Sequence, residues 1–145
     1  MINIFLQDYY TRLRAWHTLK ESLQNADTET ICVEADKFWQ RAPISSHYLH
    51  PADVVDWPSP WELISDNTYC YYARALGMIY TLMLLGINNI DFIEATDYNS
   101  ENVVLVLVEK KYVLNHWPNS VLTNKLSDFA ITKRISIESL ESKIG

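Results

Sequence analysis

Apolar positions in the first third of the chain recur at threes and fours. Leu6, Tyr9, Leu13, Trp16 and Leu23 trace one stripe, which predicts a helix from about residue 3 to 24 with Arg12, Arg14, Lys20 and Glu21 on its other faces. Asp27 can cap a second helix running to about Arg41, with Ile31, Ala35, Phe38, Trp39 and Ala42 as its buried face and Pro43 as its stop. Residues 43–58 lose periodicity and hold three prolines, two serines and two histidines, which predicts a long, packed loop. Ser59-Pro60-Trp61-Glu62 then reads as a capping box with proline at the first helical position. The next helix, about 68–85, is apolar nearly all round, with Arg74 its one charge, and Asp66 or Asn67 stands where it could be capped. A helix without a polar face is buried, so this one is expected at the centre of the fold, with Gly77 allowing a close approach and Gly86 ending it.

Beyond Gly86 the period changes. Ile90 to Asp97 and Val103 to Val108 read as strands, the second β-branched and continuous as expected when both faces are covered. Glu109-Lys110-Lys111 makes a polar turn, and Tyr112-Val113-Leu114 returns antiparallel. Residues 129–137 fit a fourth strand or the approach to a short C-terminal helix. Helices first and strands later predict a single α+β domain, with N-terminal helices and a central buried helix on a small antiparallel sheet. Its parts are a helical segment 1–42, the loop 43–58, a core 59–126 and a C-terminal extension 127–145.

Composition narrows the function. The 145 residues are 48% hydrophobic and carry a net charge of −6 without a basic stripe, which argues against binding nucleic acid through its phosphates. The N-terminal stretch lacks a signal-peptide apolar region, and the longest apolar run is too short to span a bilayer, so no membrane partner is expected. Cys32 and Cys70 are expected as free thiols. No phosphate-binding glycine loop or nucleophile elbow is present, and no cofactor is expected.

Three constellations could carry chemistry. Cys70 lies near the start of the apolar helix, where unpaired amides favour a thiolate, although its tyrosine neighbours add no positive charge and Asp66 opposes ionisation. Its plainer reading is a small buried hydrophobe, as for Cys32. His47 and His50 with Asp53 and Asp56 could ligate a metal, but H-x-x-H in a loop fixes little, and no metal is expected. Trp57, Pro58, Pro60 and Trp61 could form an aromatic interaction platform or pin the loop to the body.

From Trp57 to Asn115, a cysteine opening a buried helix followed by three antiparallel strands resembles the transglutaminase-like, papain-related cysteine enzyme core. The resemblance implies Cys70 as nucleophile, a histidine at the start of the following strand as base, and an acid at Asn115 as its orienter. The histidine position falls among Ser100, Glu101 and Asn102, and none of these is histidine. An imidazole would have to come from His47 or His50, or from His116, which strand alternation sends to the face opposite Asn115. FWQRAP, YLHP and DWPSPWELISDNTYCYYARALG also resemble small uncharacterised tailed-bacteriophage proteins. Together these readings lead to the expectation of a non-catalytic virion or assembly component. It would be oligomeric and located in the host cytoplasm and then the virion. It would contact other virion proteins through the tryptophan–proline loop and a C-terminal strand added to a neighbour. The alternative is a cysteine-dependent acyl-transfer or amide-hydrolysing enzyme using Cys70 and Asn115.

Overall fold

A computed structural model describes residues 3–45, 49, 51–116, 121–123 and 128–144. Among these, α1 is Tyr9–Ser22, α2 Thr28–Trp39, α3 Pro60–Asp66, α4 Tyr71–Leu84 and α5 Glu138–Ile144; the strands are β1 Ile90–Thr96, β2 Asn102–Val108, β3 Tyr112–Leu114, β4 Leu122–Thr123 and β5 Ala130–Ile135. The strands form one sheet in the order β4-β3-β2-β1-β5, and every neighbouring pair is antiparallel. The expected α+β arrangement is present, with α4 central.

The single N-terminal helix expected over 3–24 is two pieces. A 3-10 turn at Ile4–Leu6 comes first, and Asp8 then caps α1 by accepting from the Thr11 N–H at 2.9 Å. Splitting the helix reverses two roles: Phe5 enters the core while Leu6 is exposed. Arg12 is also buried rather than outward. Its guanidinium donates to the Ile64 and Ser65 carbonyls at 3.1 and 3.3 Å, so it satisfies the open end of α3. Helix α2 keeps its expected cap at Asp27 and its expected buried face. The Ser59–Glu62 capping box forms in full. Asp66 and Asn67, expected to cap α4, instead finish α3, Asn67 in a left-handed conformation at φ 51°.

One face of the sheet packs on α4 through Val104, Val106, Val108, Tyr112 and Leu114. The other closes a second, smaller core of Ile93, Ala95, Leu105, Leu107 and Val113. Alternation along β2 therefore feeds both cores, which is why its sequence is continuously apolar. Residues 130–135, within the segment that fitted a fourth strand, pair with β1 inside the chain, with a register shift at Glu94/Ala95. Helix α5 follows, with Leu140 buried and the Lys143 ammonium donating to the Val55 carbonyl at 2.9 Å. Among the described residues, no helix is long and apolar enough to cross a membrane.

Candidate functional site

The site is the head of α4. Cys70 is the N-cap residue rather than part of the first turn; its backbone is extended, and its carbonyl accepts the Arg74 N–H at 3.0 Å. Its side chain makes no capping hydrogen bond. Only 3% of the residue is exposed, so the thiol is shut off from solvent.

The sheet brings β2's start and β3's end to this same point. Tyr112 and Leu114 face α4 and Val113 faces away, so strict alternation would turn Asn115 away from α4. Asn115 instead takes a left-handed backbone, φ 67°, a conformation asparagine tolerates better than most residues. Its side-chain amide donates to the Tyr71 carbonyl at 3.2 Å and to the Val104 carbonyl at 2.9 Å. Carbonyls only accept, so the amide nitrogen must be the atom on them, and the orientation of the group follows. Its oxygen is buried and has no partner among the described residues.

Asp36 on α2 completes this corner. Its carboxylate accepts the Asn115 backbone N–H at 2.8 Å and the Gln40 side-chain N–H at 3.4 Å. The sequence reading did not single it out. The available signal was an acid inside the apolar stripe Cys32, Ala35, Asp36, Trp39, which a solvated face does not explain. Burial pushes the Asp36 carboxyl above the usual range, opposed in turn by the Asn115 and Gln40 hydrogen bonds and by the nearby Arg74 and His116 charges. A raised folded value means that the native state holds the proton more tightly than the unfolded chain. Asp36's contribution to stability is therefore full below the unfolded value and is lost as pH rises through the folded one. Asp36→Asn, which keeps the acceptor and drops the charge, should be more stable than the parent at neutral pH, with the difference closing on acidification. Urea unfolding at several pH values checks this, and a gap that widens on acidification contradicts it.

The other sequence-derived candidates are distributed as follows. Strand β2 opens at Asn102, within the expected histidine window, and the window holds no imidazole. His116 lies edge-on against Phe129 at 5.3 Å, and Phe129 packs on the second core, so the imidazole sits on the face away from α4, as alternation from Asn115 implied. His47 and His50 lie outside the described residues, as do the side chains of residues 51–53. No group of three or more His, Cys, Asp and Glu among the described residues could hold a metal. The tryptophan–proline platform is mostly internal. Trp57 is buried beside Tyr72 and Phe92, Pro58 accepts the Tyr80 hydroxyl at 2.6 Å, and Pro60 is buried. Trp61, 45% exposed, is the member that meets solvent, and it leans on Trp16 beneath the Lys20 ammonium. Cys32 is fully buried, and burial raises its thiol to about 12, which makes it inert.

No protein-family model matches the chain, and no curated protein sequence matches it. Among solved structures, Legionella pneumophila LapG matches with a TM-score of 0.72 at 17% identity, over 90% of this chain and 75% of LapG. The EGTA-treated form of LapG matches equally well. LapG is a transglutaminase-like cysteine protease, so the expected fold resemblance holds. At this identity the likeness speaks for the fold alone. The expectation of a non-catalytic virion component is corrected by this match, which is to LapG and not to a virion protein. The fold of this chain is transglutaminase-like.

Proposed function

We propose that the chain is a cysteine-dependent acyl-transfer or amide-hydrolysing enzyme in which Cys70 is the nucleophile and Asn115 the orienting residue. The observation that carries this reading is the buried Asn115 side-chain oxygen. It is held at the head of α4 by an amide already committed to two carbonyls, and it has no donor among the described residues. An unpaired buried acceptor costs about 1–3 kcal/mol, and an imidazole N–H is the donor this fold would present there.

The chemistry is a two-step displacement. The imidazole takes the Cys70 proton, and the sulfur attacks the acyl carbon. The bond from that carbon to the leaving amine breaks as the imidazolium returns the proton to nitrogen. Water, or a second amine, then attacks the thioester and restores the thiol. The imidazole comes from His47 or His50, since His116 sits on the face away from α4. His17 is excluded, since it lies on the exposed face of α1 and is engaged with Glu21 at 3.1 Å.

The test uses p-nitrophenyl acetate with intact-mass analysis. One acetyl group should appear on Cys70 of the native protein. It should be absent in Cys70→Ala, and its formation should slow by about 10²–10⁴-fold in the alanine variant of one histidine. Acetylation that persists in Cys70→Ala, or none on the native protein after prolonged incubation, overturns the reading.

A further inference from the structure

A nucleophile must meet its substrate, yet Cys70 is closed off. The segment after α2 is fastened to the residues on either side of it in the chain. After α2 the chain turns through Ala42–Ser45 and is fastened at two points. Arg74 donates from its Nε to the Ala42 carbonyl at 2.8 Å and from a terminal nitrogen to the same oxygen, with its other terminal nitrogen on the Gln40 side-chain oxygen at 3.2 Å. Ser45 donates its backbone N–H to the Tyr69 carbonyl at 3.0 Å and its hydroxyl to the same carbonyl at 3.4 Å. These anchors fall on residues before and after Cys70 in the chain. Tyr69 is the residue before Cys70, and Arg74 follows it by four residues, with its backbone N–H on the Cys70 carbonyl. The two residues between the anchors, 43 and 44, reach about 7 Å when extended, which carries the chain along the helix head.

The choice of fastener matters. Arg74 is half-buried, and burial lowers its pKa, with Tyr71 and Asp36 acting in the opposite direction. No carboxylate forms an ion pair with it among the described residues, and its fork is spent on two neutral oxygens. A guanidinium held by neutral acceptors is bound less firmly than one held by a carboxylate, which suits a contact that must open.

We infer that Arg74 is a positioning residue that clasps the Ala42–Ser45 segment across the head of α4, and that Cys70 is accessible only when this clasp opens. The inference rests on Cys70 being the working residue of the site, but its test reads accessibility and needs no turnover.

Cys32 provides an internal control, because it is buried in the same core but on α2. The folded protein is treated with iodoacetamide at neutral pH, and the labelling of each cysteine is followed by mass spectrometry of peptides. In Arg74→Met, which keeps the bulk and removes the donors, Cys70 labelling should rise by about ten- to a hundredfold, the equilibrium worth of one charge-assisted hydrogen bond. Cys32 labelling should not change. Ser45→Pro, which removes both donors at the other anchor, should produce the same selective rise and tests the clasp if Arg74→Met does not fold. Unchanged Cys70 labelling in folded Arg74→Met, or a parallel rise at both cysteines, overturns the clasp. The enzyme reading fails separately, when native protein forms no acetyl–Cys70.

Discussion

Gly77→Ala should lower the unfolding midpoint by about 10 °C, although alanine is the better helix former by about 1 kcal/mol. A methyl group at Gly77 would stand 2.4–2.5 Å from three atoms of the Trp39 indole. The ring cannot step aside cheaply. Phe5, Phe38, Trp16 and Tyr69 pack around it at centroid distances of 5.4–6.0 Å, and its N–H is bound to Thr81 at 2.9 Å. Overpacking a close-packed interior typically costs about 1–3 kcal/mol, and a site walled by rings belongs at the upper end or beyond. Gly86 makes the comparison: a methyl there meets nothing within 4 Å, so Gly86→Ala carries only the strain of φ +89°, about 1–2 kcal/mol. Thermal unfolding of the two variants should therefore rank Gly77→Ala well below Gly86→Ala. The reverse order would mean that α2 and α4 do not touch at this point.

Thr81→Val should destabilise the fold by about 2–6 kcal/mol, and Thr81→Ser by much less. The Thr81 hydroxyl accepts the Trp16 and Trp39 indole N–H groups, each at 2.9 Å, and donates to the Gly77 carbonyl at 2.8 Å. That uses its full hydrogen-bonding capacity. Valine has the same shape and fits the apolar surroundings, but it leaves two buried donors orphaned, at about 1–3 kcal/mol each. Serine keeps all three bonds and loses one methyl group, roughly 1 kcal/mol. Urea unfolding followed by tryptophan fluorescence measures both. If the valine variant is as stable as the serine variant, the two indoles are not joined through this hydroxyl.

Much of this architecture is legible along the chain. The α4 stretch announces its burial through the lack of a polar face, Ser59 and Glu62 spell out a cap, and the apolar run at 103–108 announces a strand covered twice. These readings succeed because hydrophobic period and cap chemistry are local. The N-terminal helix misleads for the same reason. Leu6 fits the stripe by spacing, but Asp8 competes for the helix start, and Phe5 has the better pocket among the rings around Trp39. Arg12 reads as a solvent-facing charge until α3 places its open carbonyls beside it.

The site divides along the same line. Sequence by itself determined the fold class, the central helix and Cys70 near its head, since each follows from near neighbours or from the order of elements, and the resemblance it carries pointed to Asn115. Only the tertiary structure decided that Asn115 turns back towards α4 through a left-handed backbone held by Asp36, 79 residues away. It alone closed Cys70 beside a segment fastened by Arg74, and sent most of the tryptophan–proline loop inward. These outcomes turn on buried polar groups finding partners. That requirement is strict in a dry interior, but it is met by atoms whose proximity exists only once the chain has folded.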